Sequence, residues 1–261
     1  MDNGGIGFAY YANNHRNYQL SIINCPFIPK ECFMEHKRLT LFAGHYGSGK
    51  TNIAVNYALL LAAEGKPVCI ADLDIVNPYF RTADSAKELA KAGVELISPQ
   101  FANSNVDLPA LPAEAYRLVQ DRQSYAVMDI GGDDRGAYAL GRYVPYIKEE
   151  NNYRMVFVAN ASRPLTQTPQ EALEVMREIE EACKLPFTCI VNNTNLASET
   201  TPETLLVSLS YMEELSRLSG LTIWLHTARA DIAEQVVSQI SNVFPLQLQE
   251  KYFDLPSQTG L

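Results

Sequence analysis

The sequence lacks any long apolar run. Its longest uninterrupted hydrophobic stretch covers residues 57–63, far short of the roughly 20 residues that a helix needs to cross a bilayer. The 14 glycines and 14 prolines are spread along the 261 residues without a repeat or a low-complexity tract. These absences exclude a membrane-spanning, fibrous or largely disordered protein, and the 47% hydrophobic content is typical of a globular one.

Basic residues are also scarce, because 21 Lys and Arg stand against 30 Asp and Glu, for a net charge of −9. Without a basic cluster the chain lacks the charge pattern that binds nucleic-acid phosphates. Residues 249–256 are short, mixed in charge and broken by Pro256, unlike a basic amphipathic helix that binds a membrane surface. We therefore expect neither nucleic acid nor membrane as a partner.

The cysteines form no recognisable framework, since they are odd in number and never spaced C-x-x-C. The first residues are acidic and glycine-rich, where an export signal would be basic and then apolar. We expect a cytoplasmic protein with reduced thiols and no zinc or iron–sulfur site of its own, although a cluster shared between two copies is left open. The five cysteines are Cys25, Cys32, Cys69, Cys183 and Cys189.

Two regions differ in pattern. Residues 1–33 show no helical or strand period and are expected to form a tail or arm, and Met34 is an alternative start. Residues 34–261 alternate short β-branched or apolar runs with longer helical ones, which predicts one α/β domain with a parallel sheet of about seven strands flanked by helices. The predicted strands cover residues 39–43, 68–72, 94–98, 125–130, 155–160, 187–192 and 221–225.

Helix boundaries are marked by capping residues. Thr168, Pro169 and Glu171 supply an N-cap, a first-turn proline and a capping-box glutamate, and Thr201, Pro202 and Glu203 start a second helix. Gly220 lies where a helix would end and a strand begin.

The first predicted strand and the helix after it enclose a glycine-rich segment that fits G-x-x-x-x-G-K-(S/T). Glycines allow the backbone amides to surround an anion, and the following helix adds its positive N-terminal end. Lys50 would neutralise the β- and γ-phosphates, and Thr51 would reach Mg²⁺. The segment predicts a nucleotide phosphate site and comprises Gly44, His45, Tyr46, Gly47, Ser48, Gly49, Lys50 and Thr51.

Acidic residues follow two other strands. The strand over residues 125–130 carries Asp129, which is placed to bind Mg²⁺, and Gly132 would let an amide approach the γ-phosphate. Asp72 and Asp74 lie at the end of the second strand, where alternate residues share one face. Their spacing leaves open both a metal site and a simple turn.

These three segments, in this order, resemble the MinD/ParA-type family of dimerising P-loop ATPases, which includes the nitrogenase iron protein and metallocluster-insertion ATPases. The resemblance implies a doubly wound, mostly parallel sheet, Mg-ATP at the strand ends, and hydrolysis coupled to homodimer formation and release of a protein partner. It assigns the phosphate contacts to residues 44–51 and Asn52. It places Asp72 and Asp74 in a first switch, with Asp74 positioning the attacking water, and Asp129 and Gly132 in a second.

The same resemblance implies that an asparagine after the sixth strand binds the base, and both Asn193 and Asn192 are candidates. A GTPase would carry N-K-x-D here, because its Asp binds the exocyclic amine of guanine, and this sequence has no such run. ATP is therefore the expected nucleotide.

The loop departs from the family at His45, where a lysine usually reaches the partner's phosphates. A neutral imidazole supplies less positive charge, so activation across a dimer is in question, and His45 is either a solvated loop residue or a phosphate contact. Arg81 and Arg135, each near a switch, are candidates for the missing cation.

Three functions are consistent with these features. The first is an ATP-hydrolysing switch whose two nucleotide states differ in affinity for a protein partner. The second is an ATP-dependent ligase or kinase with a metabolite pocket formed by residues 163–166 or 103–107. The third is a nucleotide-binding scaffold without useful hydrolysis.

Overall fold

A computed structural model describes residues 35–73, 82–97, 113–131 and 140–248 of the chain. In these ranges eight strands form one sheet, and every adjacent pair is parallel. The strands are β1 (Leu39–Ala43), β2 (Val68–Leu73), β3 (Glu95–Ile97), β4 (Tyr125–Ile130), β5 (Tyr153–Ala159), β6 (Cys189–Asn192), β7 (Thr222–Arg229) and β8 (Val243–Leu246).

Helices connect these strands. In chain order we label them α1 (Lys50–Ala63), α2 (Ala86–Lys91), α3 (Arg117–Gln120), α4 (Val144–Glu150), α5 (Pro169–Cys183), α6 (Pro202–Ser219) and α7 (Ala230–Val236). Helix α5 begins with the predicted capping box, in which the Thr168 side chain accepts from the Glu171 amide, and α6 begins with a second box formed by Thr201 and Thr204. Gly220 ends α6 in a left-handed conformation, as predicted.

The strand order is β3-β2-β4-β1-β5-β6-β7-β8. The chain first builds the sheet to one side of β1 and then, from β5 onward, to the other side. Such a reversal opens a crevice at the carboxyl ends of the central strands, where ligands bind in doubly wound folds. The topology thus confirms the predicted fold class and points to the end of β1.

Buried side chains cover both faces of the sheet. Leu39 and Leu41 of β1 join one apolar cluster with Met176 of α5, while Phe42 joins another with Ile53 of α1. Alternation of this kind is what a strand buried on both faces requires. The helices therefore form two layers that enclose the sheet.

The seven predicted strands are all present, with bounds shifted by as many as four residues. The eighth, β8, was not predicted, because its four residues include Pro245, which lacks the amide that a central strand needs. In the structure β8 pairs only with β7, at the edge of the sheet, where proline is tolerated.

Three of the cysteines can be placed. Cys69, Cys183 and Cys189 are buried free thiols, and burial raises the pKa of Cys69 to about 12, so that thiol stays protonated. Cys25 and Cys32 lie outside the described residues, as does the predicted tail over residues 1–33. None of the helices in the described ranges is both long and apolar enough to span a bilayer.

A buried ion pair fixes the start of β1. The guanidinium of Arg38 donates to both carboxylate oxygens of Glu150, and the two side chains are only 6% and 9% exposed. A third nitrogen of Arg38, Nη1, donates to the carbonyls of Leu118, Asp121 and Ser124 at 2.9–3.0 Å. Arg38 thereby joins β1 to the end of α4 and to the turn that leads into β4.

Replacing Arg38 by Met should lower the free energy of unfolding by about 3–5 kcal/mol, because Glu150 is left as a buried charge without its guanidinium. Adding Glu150→Leu to this variant should recover most of the lost free energy of unfolding. Urea unfolding of the three proteins measures both effects. A cost below about 1 kcal/mol for Arg38→Met alone would contradict this role.

A second polar cluster is buried where the end of β6 meets the middle of β7 and helix α6. The Asn192 amide donates to Ser208 Oγ (2.8 Å) and lies 3.1 Å from Nδ1 of His226. Burial lowers the pKa of His226 to about 4, because the charged ring would lose its hydration. The folded protein therefore holds this ring neutral.

Acid should destabilise the fold through His226. As pH falls from about 6.5 to about 4, His226 binds a proton in the unfolded chain but stays neutral in the folded one. The free energy of unfolding therefore decreases by at most about 3 kcal/mol. In His226→Gln, which keeps an acceptor but no titrating ring, this part of the decrease should vanish. Identical pH profiles of unfolding for the two proteins would show that the ring does not titrate in this way.

Candidate phosphate-binding site

The segment between β1 and α1 has the conformation expected of a phosphate loop. Helix α1 begins at Lys50, and its N-cap, Gly49, adopts a left-handed conformation (φ 89°) without a side-chain cap. The first amide to bond within the helix is that of Ile53, which donates to the Gly49 carbonyl. The amides of the first turn therefore have no acceptor within α1, and they lie at its positive end, where anions bind.

Close backbone approach requires glycine at two loop positions. A Cβ atom on Gly49 would lie 2.1 Å from Nδ2 of Asn193, and one on Gly44 would lie 2.5 Å from the Val158 carbonyl of β5. Both distances are shorter than any real contact. The motif glycines therefore fit the loop against its neighbours as well as permitting its turns.

The polar side chains of the loop are buried rather than solvated. Lys50 and Thr51 are both buried at the start of α1, and Nζ of Lys50 lies 3.4 Å from the His45 carbonyl. Ser48 Oγ is buried and has no hydrogen-bond partner among the described residues. A buried hydroxyl in this state is costly in a loop unless a ligand contacts it, so the donor set fits a phosphate group.

The other loop residues lie at its surface. His45 is partly exposed, and its Nδ1 contacts the Tyr46 carbonyl at 3.0 Å. Tyr46 and Gly47 are exposed, and residues 45–47 form what we call the crown of the loop. Asn52 is on the first turn of α1, and its carbonyl accepts from Asn56.

Two carboxylates lie beside the loop. Asp129 of β4 is in register with Phe42 of β1 on one side and with Asp72 of β2 on the other. Both aspartates are buried, and residues in register on neighbouring strands share a face of the sheet. Thr82 Oγ1 donates to Oδ2 of Asp129 at 3.4 Å.

One or two carboxylates, completed by phosphate oxygens and water, are the usual ligands of Mg²⁺, and buried Asp72 and Asp129 fit this pattern. Within the described ranges no three His, Cys, Asp or Glu side chains are grouped closely enough to hold a metal. The third predicted carboxylate, Asp74, lies outside these ranges, as do Gly132, Arg81, Arg135 and residues 103–107.

Asn193 contacts the loop itself. Its Nδ2 donates to the Ser48 carbonyl at 2.6 Å, and its Oδ1 accepts from Thr227 Oγ1 at 2.6 Å. Asn192 is turned to the other side, towards Ser208 and His226. The sequence prediction placed one of these asparagines at the base, but in the structure the Asn193 side chain is buried between the loop and β7. Base binding by either residue stays a prediction.

Two residues near the loop carried no sequence motif. Thr227 orients Asn193 from β7, and nothing in a strand threonine predicts that contact. Arg163 follows β5 and lies against Gly47, where a Cβ atom on the glycine would be 3.6 Å from Arg163 Nε. Residues 163–166 were predicted only as a possible metabolite pocket.

Comparisons with known proteins concern structure alone. No protein-family profile matches the chain, and no curated protein sequence does either. Among solved structures, the chain is similar to the cell division protein FtsY of Thermotoga maritima, with a TM-score of 0.51 and 18% identity over 79% of this chain. The chain spans 66% of that protein's length.

Two further structures superpose less well. One is chloroplast FtsY of Physcomitrella patens, with a TM-score of 0.49 and 17% identity over 86% of this chain and 72% of that one. The other is the signal recognition particle 54 kDa protein of Aeropyrum pernix in complex with GDP, with a TM-score of 0.44 and 19% identity over 72% of this chain and 40% of that one. The comparison of folds therefore rests on the superposition with the Thermotoga protein, whose TM-score is 0.51.

At these identities the likeness extends to the fold and no further. The MinD/ParA type expected from the motifs stays a prediction. The parallel sheet, its reversal at β1 and the glycine loop before α1 together identify the fold. The chain therefore has the α/β P-loop NTPase fold that it shares with FtsY.

Proposed function

We propose that the protein binds Mg-ATP, hydrolyses it, and acts as a nucleotide-dependent switch for a protein partner. The observation that carries this proposal is the loop before α1, where buried Lys50 and the buried hydroxyl of Ser48 adjoin the uncapped end of a helix. Such a site is built for several negative charges at once. A triphosphate satisfies it better than a carboxylate or a single sulfate.

Thr51, Asp72 and Asp129 are the described residues that would hold Mg²⁺, with Asp74 as a further ligand from outside the described ranges. When bound, Mg²⁺ supplies positive charge that stabilises the phosphoryl group as it is transferred. Lys50 adds a second positive charge beside the terminal phosphates. Asp74 would position the attacking water.

The proposed switch depends on the segments after the two acidic strand ends. In the sequence, residues 74–81 follow β2 and residues 132–139 follow β4, and each of these strands carries a carboxylate that we propose binds Mg²⁺. Thr82, which follows the first segment, contacts Asp129 before the second. A change at the metal would thus act on the contact between Thr82 and Asp129, which border the two segments, and other nucleotide switches respond to the γ-phosphate and its metal in a comparable way.

ATP is preferred over GTP because of the residues after β6. In an N-K-x-D sequence the fourth position supplies a carboxylate for guanine, and here it is Asn195. The amide of Asn195 donates to the Asn193 carbonyl at 2.7 Å, and its oxygen accepts from Ala197. Position 195 therefore has no carboxylate that could bind the exocyclic amine of guanine.

Exposed apolar side chains near the loop support a homodimer or a protein partner. Tyr46, Leu165 and Leu196 are 55%, 63% and 47% exposed, and they lie on the loops that follow β1, β5 and β6. Because the strands are parallel, these loops are at one edge of the sheet. We propose that these side chains contribute to a surface that docks a protein.

Lys50→Ala should lower the affinity for Mg-ATP by about 10- to 100-fold, the value of a charge-assisted contact with phosphate. Isothermal calorimetry with Mg-ATP and Mg-GTP measures the loss and the base preference. The wild type should bind ATP more tightly than GTP and hydrolyse it slowly, with one nucleotide state retaining a partner in a pull-down.

The matched control is Lys148→Ala, which removes a lysine of α4 whose ammonium donates to the Lys184 carbonyl at the start of the segment between α5 and β6. Its affinity should equal that of the wild type. Normal ATP binding by Lys50→Ala would rule out the loop as the phosphate site. Rapid turnover with a metabolite and no partner would favour a ligase or kinase instead.

Asn193→Ala tests how the loop is held. If the hydrogen bond from Asn193 holds the Ser48 carbonyl in place, the variant should bind ATP, GTP and pyrophosphate more weakly by a similar factor of about 5–10. Thr227→Val should act in the same direction with a smaller effect, because it frees Asn193 without deleting it.

Calorimetry with the three ligands separates this role from base binding. Unchanged pyrophosphate binding combined with loss of the ATP preference would show that Asn193 contacts the base, as the sequence resemblance implies.

A further inference from the structure

Arg163 places a guanidinium against the crown of the phosphate loop. A Cβ atom on Gly47 would lie 3.6 Å from Nε, 3.7 Å from Cδ and 3.9 Å from Cζ of Arg163, so the side chain runs alongside the loop. Its Nε is buried and has no hydrogen-bond partner among the described residues. A buried charged donor of this kind is costly unless an acceptor reaches it.

The turn that carries Arg163 is held in place. Its amide donates to the Asn160 carbonyl at 3.2 Å, and the same carbonyl accepts from Thr166 Oγ1 at 2.9 Å. The hydroxyl of Tyr211, on α6, donates to the Thr166 carbonyl at 2.9 Å. These bonds fix the backbone under Arg163, so the guanidinium is presented to the loop at little further entropic cost.

Two other donors share this state. Ser48 Oγ in the loop and Asn160 Nδ2 in the turn are both buried and lack a partner among the described residues. All three groups belong to the loop or to the turn that packs against it. A single anionic ligand lying between loop and turn would satisfy such donors, whereas apolar groups would not.

The position of Lys50 shows which part of the ligand Arg163 would meet. Its Nζ approaches the His45 carbonyl at 3.4 Å, so the ammonium reaches the crown formed by residues 45–47. The motif lysine serves the β- and γ-phosphates. Gly47, and with it Arg163, would therefore lie beside the terminal phosphates of a bound nucleotide.

We propose that Arg163 is a phosphate-contacting residue that binds the terminal phosphates of the nucleotide held by the same chain. It would supply the second cation that the family resemblance implies and that a neutral His45 would not provide. This role rests on the proposed function, because it requires a nucleoside triphosphate in the loop. An arginine suits it, since the planar guanidinium can donate two parallel hydrogen bonds to one phosphate.

The test compares Arg163→Gln with Arg177→Gln, which removes the same charge from an exposed position on α5. Calorimetry measures affinity for Mg-ATP and Mg-ADP at protein concentrations where sedimentation shows a monomer. Arg163→Gln should lose about tenfold in ATP affinity and much less in ADP affinity, while Arg177→Gln matches the wild type.

A second measurement uses the wild-type protein and does not depend on how the variant folds. Phenylglyoxal modifies accessible arginines, and mass spectrometry reports the extent at Arg163. ATP should protect Arg163 several-fold more strongly than ADP does.

The possible failures are distinct. If the wild type binds neither nucleotide, the proposed function fails and Arg163 loses its role with it. If the wild type binds ATP but Arg163→Gln keeps its ATP-to-ADP ratio, or if ATP gives no extra protection, the role of Arg163 alone is overturned.

Discussion

The conformation of the bend between β1 and α1 is the constraint on which the site depends. Its amides can face an anion only while its carbonyls are held away, and the Asn193 amide does this for Ser48 at 2.6 Å. Thr227 in turn fixes Asn193. The loop is therefore set by the neighbouring strands β6 and β7 as much as by its own glycines, and the bound anion would find its donors already in place.

The sheet brings the remaining chemistry to the same place. Because β4 and β5 flank β1, the carboxyl end of β4 delivers Asp129 on one side of the loop, and the turn after β5 delivers Arg163 on the other. The loop thereby separates the carboxylate proposed to bind the metal from the guanidinium proposed to bind phosphate. Such an arrangement suits a triphosphate in which some oxygens bind the metal and others need a positive side chain.

Much of this could be predicted from the sequence, for local reasons. The strand, glycine loop and helix over residues 39–63 are encoded by adjacent residues, and the capping box at Thr168 marks where helix α5 begins. Contacts between distant residues could not be predicted. Asn193 and Ser48 are 145 positions apart, and nothing in either segment signals that an asparagine read as a base contact packs on the loop. The contact of Arg163 with the loop could not be predicted for the same reason, since it depends on a neighbour in space, whereas β8 was missed because Pro245 argued against a strand.

The central claim is that residues 44–51 hold the triphosphate of a nucleotide. It is tested most directly by a crystal structure of the protein with Mg²⁺ and a non-hydrolysable ATP analogue. The account predicts phosphate oxygens within hydrogen-bond distance of the amides of Gly49, Lys50 and Thr51, with the metal on the side of Asp129. An analogue bound elsewhere, or a loop that turns its carbonyls toward the phosphates, would contradict it.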